Sequence, residues 1–302
     1  MSVHQELIGR VKKGDLKSLS RCISLVENSS EGWMDILMEL SVRDGVPVIG
    51  VTGPPGAGKS TLINAMVQKL VDDDKKVGVL CIDPTSPFNY GSLLADRLRM
   101  GDHFNQKGVF IRSLATRGSL GGLSAKTIEI SDVMRCAGFD IVIVETVGVG
   151  QSEVEIAGLA DTTILVLVPE GGDEIQALKS GVMEIGDIFV VNKSDREGAD
   201  RFVKNIESTV HQRPASNWTP KVLKAVATRG AGVEEILKEA EKHFSSVTNE
   251  KKSYLLAEKA FQLIQHHKMT DVDKTALQTT ISAEMIRGDF NFYVFVKELI
   301  NK

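Results

Sequence analysis

Short runs of apolar, mostly β-branched residues alternate with longer amphipathic stretches from about residue 46 to about residue 248. Several of the runs are continuously apolar, as strands covered on both faces of a sheet must be. The stretches between them repeat apolar residues at the spacing of a helix face. This alternation predicts an α/β fold with a mostly parallel, doubly wound sheet. The predicted strands are Val48–Val51, Val77–Ile82, Val109–Ser113, Ile141–Glu145, Thr163–Val168, Ile188–Asn192 and Val222–Ala227. The predicted helices include Ser60–Val71, Ser124–Ala137, Glu174–Ile185 and Val233–Phe244.

Helical patterns flank this region on both sides. Residues 1–45 repeat apolar side chains at helical spacing, and Gly14 and Asp15 separate two helices, with Asp15 predicted as the N-cap of the second. Residues 249–302 are amphipathic and end in an aromatic segment. We therefore predict a helical arm over 1–45, an α/β domain over 46–248 and a helical segment over 249–302. The last segment would pack on the arm or on a second copy of the chain.

The charge balance argues against two classes of partner. The chain of 302 residues has 36 Lys and Arg against 40 Asp and Glu, a formal net charge of −4. Because nucleic-acid and anionic-membrane binders carry a basic surface, neither partner is expected. No apolar run reaches the ~20 residues that cross a bilayer, and the first residues lack a secretory signal pattern. Cys22, Cys81 and Cys136 have neither disulfide nor zinc spacing, which favours free thiols and a cytoplasmic location.

A glycine-rich segment lies between the first predicted strand and the helix that follows it. Glycines allow the backbone to wrap with its N–H groups pointing at phosphate oxygens, and a helix N-terminus adds a positive dipole. Lys59 is expected to reach the β- and γ-phosphates of a nucleotide as a catalytic residue, and the Ser60 hydroxyl to coordinate Mg²⁺. The segment is the complete G-x-x-x-x-G-K-[ST] pattern of a P-loop, formed by Gly53, Pro54, Pro55, Gly56, Ala57, Gly58, Lys59, Ser60 and Thr61.

The end of the sixth predicted strand indicates which base is bound. Asn192, Lys193 and Asp195 form an N-K-x-D sequence there. The carboxylate of Asp195 can accept hydrogen bonds from guanine N1–H and the 2-amino group, whereas adenine presents neither donor. Lys193 would lay its alkyl stem over the base, and Asn192 would brace the loop. A backbone N–H at the end of the next strand is expected to contact the guanine oxygen, in the segment Ala227, Thr228 and Arg229.

Acidic residues at the carboxyl ends of two strands predict a metal site. One strand ends in Glu145 with Gly148 three residues later, as in a Walker B strand followed by a D-x-x-G-like turn. Glu145 would hold Mg²⁺ directly or through water, and the Gly148 N–H would sense the γ-phosphate, so we assign both to catalysis. Asp83 ends another strand and faces the same crevice. Asp96 lies thirteen residues on and is either a further metal ligand or half of a surface ion pair.

No residue is evident that would orient the attacking water. In small GTPases a Gln directly follows the glycine of D-x-x-G. Here Val149 occupies that position, and the nearest Gln is Gln151. We therefore expect slow intrinsic hydrolysis that accelerates when a partner or a second subunit completes the site.

Five segments in order carry a more specific resemblance. They are Gly53–Thr61, Asp83–Phe88, Arg112–Gly122, Glu145–Glu153 and Asn192–Asp195. Together they closely resemble the MeaB/ArgK/MMAA family, a branch of the metallochaperone-like P-loop GTPases. The likeness runs from about Leu16 to about Phe244, and the last fifty residues resemble the family only in being helical.

The resemblance implies a GTP-binding and GTP-hydrolysing chaperone for an adenosylcobalamin-dependent acyl-CoA mutase, typically methylmalonyl-CoA mutase. Members of the family gate cofactor loading, remove damaged cofactor and protect the mutase, usually as homodimers. The segment Gly171–Gly181 resembles the family's third switch, which relays nucleotide state to the mutase. The implied roles are phosphate and Mg²⁺ binding at Lys59 and Ser60, metal binding around Asp83, Asp96 and Glu145, and guanine recognition at Asp195.

Three other functions remain open. A metallochaperone GTPase that delivers nickel or another metal would be expected to have a His-rich tract or a Cys-x-x-Cys near a switch, and the sequence has neither. A kinase acting on a small molecule or a protein would tolerate ATP, which Asp195 argues against. A targeting GTPase of the signal-recognition type would normally carry a methionine-rich or membrane-directed domain.

Overall fold

The computed structural model divides into two compact units, residues 1–252 and 253–302. It describes residues 3–41, 45–83, 101–103, 106–115, 126–146, 152–169, 182–213, 217–247, 251–269, 272–286 and 290–300. The predicted boundaries at residues 45 and 248 stay predictions. Within the described residues, no helix is both long enough and apolar enough to cross a membrane.

Seven parallel strands form one sheet at the centre of the first unit, which confirms the predicted fold class. In spatial order they are β3, β2, β4, β1, β5, β6 and β7. Their bounds are β1 Val48–Thr52, β2 Val77–Asp83, β3 Val109–Ala115, β4 Ile141–Glu145, β5 Thr162–Leu167, β6 Ile188–Val191 and β7 Lys221–Lys224. Every residue of β1, β4, β5 and β6 is buried, as their continuous apolar sequences predict.

Helices cover both faces of this sheet. On one face Ile49 and Val51 of β1 belong to the same buried cluster as Leu62 and Met66. On the other face a Cβ atom on Gly50 would lie 2.5 Å from Cγ1 of Ile156, so only glycine allows that helix to approach. The helices of the first unit are α1 Val3–Lys12, α2 Leu16–Glu27, α3 Trp33–Met38, α4 Lys59–Asp72, α5 Thr127–Arg135, α6 Ser152–Leu159, α7 Val182–Ile185, α8 Ala199–His211 and α9 Val233–Ser246, with 3₁₀ turns at Gly101–His103 and Ala227–Arg229.

Two predicted elements, the seventh strand and the helix from Glu174, are not described with their predicted bounds. The seventh strand was predicted to reach Ala227 but ends at Lys224. The chain turns there because the N–H of Val226 donates back to the carbonyl oxygen of Ala231 at 3.1 Å, and Ala227 begins a 3₁₀ turn. The helix predicted from Glu174 is described only over Val182–Ile185, and residues 174–181 lie outside the described residues.

The N-terminal helices are attached to the edge strand of the sheet. Asp15 caps α2 as predicted, because its Oδ1 accepts from the N–H of Lys17 at 3.1 Å. Arg112 on β3 donates to Glu27 Oε2 at 2.7 Å, with 24% and 10% of the two side chains exposed. Removing either partner of this mostly buried pair would leave an unpaired charge, so the pair fixes where the arm meets the sheet.

The second unit is helical, with many apolar side chains at its surface. Following α10 (Lys251–Lys268), helices α11 (Lys274–Ile286) and α12 (Phe292–Ile300) each begin at a polar cap. The cap of α11 is Asp273, and the cap of α12 is Asn291, whose side-chain oxygens accept from the first N–H groups of each helix. The exposed large apolar residues of this unit are Tyr254, Leu256, Phe261, Ile264, Met269, Val272, Met285, Ile286, Phe292, Tyr293, Val294 and Leu299.

Candidate nucleotide-binding site

The glycine-rich loop between β1 and α4 adopts a backbone that its glycines make possible. Gly53, Gly56 and Gly58 have φ angles of +144°, +76° and +85°, a region that side chains disfavour. A Cβ on Gly53 would lie 2.1 Å from the carbonyl oxygen of Val166, and one on Gly58 would lie 2.5 Å from Nδ2 of Asn192. The loop is therefore wedged between β5 and the loop after β6. Its curved backbone fits a phosphate chain.

The lysine of this loop is held inside it. Lys59 is buried, and its ammonium donates to the carbonyl oxygens of Gly53 at 2.9 Å and Pro54 at 3.1 Å. These bonds fold the side chain over the loop, toward the space that the loop encloses. Of the other loop residues predicted to bind phosphate, Ala57 is buried, whereas Pro55, Gly56 and Thr61 are exposed.

A serine and a glutamate meet at the foot of the loop. The hydroxyl of Ser60, in the first turn of α4, donates to Oε1 of Glu145 at 2.7 Å, and both side chains are buried. Strand β4 lies beside β1 with Glu145 opposite Val51, which brings its carboxylate to the start of the loop. Two neighbouring oxygen donors of this kind suit a hard cation such as Mg²⁺.

The remaining predicted metal residues are only partly described. Asp83 is the last residue of β2, and β2 lies on the far side of β4 from β1, so its backbone ends at the same edge of the sheet. Asp96 and Gly148 lie outside the described residues, as do Val149, Gln151 and the predicted third switch, Gly171–Gly181.

One asparagine joins all three loops of the candidate site. Asn192 is 2% exposed, donates from Nδ2 to the carbonyl oxygen of Ala57 at 2.9 Å, and accepts at Oδ1 from the N–H of Ala227 at 3.1 Å. Its predicted bracing role is thus visible as two hydrogen bonds. The ammonium of Lys193 adds a further link, since it donates to the carbonyl oxygen of Gly56 at 2.9 Å. We expected the Lys193 stem to lie over the base; its ammonium bond was not anticipated.

The outer rim of the candidate base site carries an ion pair. Arg229 donates from Nη2 to Oδ2 of Asp195, with 67% and 39% of the two side chains exposed. Thr228, between Ala227 and Arg229, is also exposed. Sequence reasoning assigned only a backbone contact to residues 227–229, so the Arg229 side chain is a feature that it missed.

A second missed contact fastens the carboxyl ends of β1 and β4. Thr146 donates from its hydroxyl to Oγ1 of Thr52 at 2.8 Å, and its N–H donates to the carbonyl oxygen of Val51 at 3.1 Å. Both threonines are buried. The contact could not be predicted from the sequence, because only the strand order makes Thr52 and Thr146 neighbours.

Comparison with known proteins identifies the family. The family described as methylmalonyl Co-A mutase-associated GTPase MeaB matches residues 19–280. The chain belongs to the MeaB family of GTPases. This match confirms the resemblance seen in the five segments. It also corrects one expectation, because the similarity continues past Phe244 to residue 280 and so includes α10 and about half of α11.

Individual proteins support the MeaB assignment over most of the chain. A Pyrococcus abyssi protein, provisionally named a GTPase, is 43% identical over 292 residues, which cover 94% of this chain and 88% of the relative. GTPase ArgK of Escherichia coli is 37% identical over 76% of this chain and 73% of its own. A crystal structure titled LAO/AO transport system kinase superposes with a TM-score of 0.69 at 26% identity, covering 99% of this chain and 96% of the other.

Membership of the MeaB family makes this protein a guanine-nucleotide-binding enzyme that hydrolyses GTP. The roles of its individual site residues stay predictions. What the geometry adds is that five predicted site residues lie at one edge of a parallel sheet, where ligands of such folds bind. They are Lys59 and Ser60 at the start of α4, Glu145 at the end of β4, and Asn192 and Asp195 after β6.

Proposed function

We propose that this MeaB-family GTPase is a nucleotide-driven chaperone for an adenosylcobalamin-dependent acyl-CoA mutase of the methylmalonyl-CoA mutase type. In this role it gates cofactor loading and protects the mutase. The observation that carries the proposal is the match of residues 19–280 to a family described by its association with that mutase. The buried Asn192 supports it, because a site that ties the phosphate loop to the base loops can respond as one body to the nucleotide.

In this proposal Asp195 reads the guanine base and Lys59 binds the β- and γ-phosphates. Lys59 has two carbonyl partners within its own loop, at 2.9 and 3.1 Å. Phosphate oxygens would take over from these carbonyls as acceptors, and a charged acceptor forms the stronger hydrogen bond. The N–H of Gly148 would detect the γ-phosphate and so distinguish GTP from GDP.

Ser60 and Glu145 would hold Mg²⁺, together with Asp83 and Asp96. The fit rests on the 2.7 Å approach of two buried oxygen donors at the N-terminus of the phosphate-binding helix. When bound, the ion supplies positive charge that offsets the charge developing on the phosphates. Intrinsic hydrolysis would be slow, since no glutamine follows Gly148, and the mutase or a second subunit would accelerate it.

The protein would act as a homodimer in the cytoplasm. Support for the dimer comes from the apolar side chains exposed on residues 253–302, among them Phe261 and Ile286, which are 65% and 86% exposed. Exposed apolar patches of this kind usually mark an interaction surface. Support for the location comes from three free cysteines.

Co-purification tests the chaperone role. The tagged protein is mixed with methylmalonyl-CoA mutase, or with other adenosylcobalamin-dependent acyl-CoA mutases, in GDP and in a non-hydrolysable GTP analogue. We expect one mutase to bind and the amount bound to differ between the two nucleotides. The Lys59→Ala variant should bind without that difference, because it cannot hold the phosphates. Binding to no mutase in either nucleotide would refute the chaperone role while leaving the GTPase activity intact.

A further inference from the structure

The two loops assigned to the base are joined by one ion pair. Asp195 follows β6, Arg229 ends the 3₁₀ turn that follows the neighbouring strand β7, and Nη2 of Arg229 donates to Oδ2 of Asp195. The pair therefore reaches from one loop to the other. A hydrogen bond from the backbone N–H of Ala227 to Oδ1 of Asn192 joins the same two loops deeper in the protein.

The proposed site for guanine is the space between the two loops, which this ion pair crosses. A base whose N1–H and 2-amino group donate to Asp195, and whose oxygen accepts from the backbone of residues 227–229, must lie between the two loops. The side chain of Arg229 extends across that interval to the same carboxylate. The guanine base and the Arg229 side chain would therefore compete for the same position beside Asp195.

The chemistry of the two groups is also alike. The edge of guanine that Asp195 would bind is planar. Its N–H donors, N1–H and the 2-amino group, are bonded to the same ring carbon. The guanidinium of Arg229 is a planar carbon with three such nitrogens, and its N–H groups suit a carboxylate in the same way. Arg229 therefore resembles the ligand that Asp195 is built to accept.

From this we propose that Arg229 controls entry to the base slot by occupying Asp195, and that guanine binds by exchanging with the arginine side chain. The inference rests on the proposed role of Asp195 in reading guanine. Exchange is feasible because the two side chains are 67% and 39% exposed, whereas Asn192 beneath them is 2% exposed and stays in place. Exposed ion pairs are weak, which limits the effect on binding to about fivefold.

Stopped-flow binding of methylanthraniloyl-GDP, a fluorescent GDP, tests this exchange. In Arg229→Ala the association rate should rise, by up to about fivefold, because no side chain has to leave the carboxylate. Simple charge steering predicts the opposite, since loss of a cation slows the approach of an anionic nucleotide. Arg229→Lys keeps the positive charge and N–H donors for Asp195 but lacks the planar guanidinium, so its association rate should lie between those of the wild type and Arg229→Ala.

Lys224→Ala is the matched control. Lys224 on β7 forms a similarly exposed ion pair with Asp200, so this variant removes the same charge from the same part of the chain without affecting Asp195. Its association rate should be unchanged or lower. Raising NaCl should shrink the difference between Arg229→Ala and the wild type, because salt screens the ion pair in the wild type.

The results separate two kinds of failure. If the wild type binds the fluorescent GDP but Arg229→Ala associates no faster than Lys224→Ala, the exchange is refuted and guanine binding stands. A rate difference that does not respond to salt would also contradict the exchange. If the wild type itself fails to bind, the assignment of Asp195 to guanine falls, and the exchange falls with it.

Discussion

The hydroxyl of Ser60 donates a hydrogen bond to Oε1 of Glu145 over 2.7 Å, although 85 positions separate them in the chain. One residue begins the helix after the phosphate loop, and the other ends β4. Both are buried, so the proposed cation site is formed by two side chains held in the interior and not by a surface contact.

Replacing Glu145 with Gln tests this pair. The amide has the same shape but no charge, so it should raise the Mg²⁺ concentration needed for half-maximal GTP turnover. Groups that support the ligands of a metal ion typically contribute about 10- to 100-fold in metal affinity or activity, and we expect a loss of Mg²⁺ affinity in that range. Phosphate release measured across a Mg²⁺ titration gives the half-maximal Mg²⁺ concentration and the rate at saturating Mg²⁺.

Glu239→Gln serves as its control. Glu239 is also a buried glutamate, paired with Lys221 on β7, so the substitution makes the same chemical change away from the loop. It should leave the Mg²⁺ dependence as in the wild type. Equal Mg²⁺ curves for both variants would argue against a metal at Glu145.

Asn192→Ala should destabilise the fold as well as the site. The substitution removes two hydrogen bonds and leaves the Ala57 carbonyl and the Ala227 N–H without their partner. Buried groups left in this way each cost about 1–3 kcal/mol, so for the two groups we expect a loss of about 2–6 kcal/mol in the free energy of unfolding. Urea unfolding measures it. Asn205→Ala, on an exposed surface of α8, should change stability by less than about 0.5 kcal/mol.

Alanine substitutions at two glycines distinguish backbone strain from a collision with a neighbouring side chain. Gly58 and Gly198 both precede a helix, with φ of +85° and +82°, but only a Cβ on Gly58 would collide, at 2.5 Å from Nδ2 of Asn192. Gly198→Ala should therefore cost only the backbone strain of about 1–2 kcal/mol. Gly58→Ala should cost more and should weaken GDP binding, as calorimetry can measure. Similar stability and GDP affinity in the two variants would contradict the wedged loop.

Cys22 gives the unfolding free energy a dependence on alkaline pH. Burial raises the pKa of its thiol to about 11 from a model-compound value of 9.0. Above pH 9.0 the unfolded chain loses this proton first, so the thiol's contribution is complete below pH 9.0 and is lost as the pH rises toward 11. Urea unfolding at pH 8 and pH 10 should show a smaller decrease in Cys22→Ala than in the wild type. An identical decrease in both would show that another group is responsible.

The sequence predicted the strands well because each carries its own signal. Continuous apolar runs placed β1, β2 and β4 within a residue or two of their observed bounds. The cap at Asp15 was equally local, since a helix start depends on residues two or three positions away. The end of β7 was predicted wrongly because the apolar pattern continues to Ala227, whereas the chain turns back at Val226, whose N–H donates to the carbonyl oxygen of Ala231.

What the sequence determined by itself was the parallel α/β class, the phosphate loop of Gly53–Thr61 and the N-K-x-D signal for guanine. These follow from short stretches whose chemistry does not depend on the rest of the chain. Only the tertiary structure decided that Ser60 meets Glu145, that Asn192 joins three loops and that Arg229 reaches Asp195. Each of these contacts depends on which strands lie side by side, and hydrophobic periodicity is the same for every strand order.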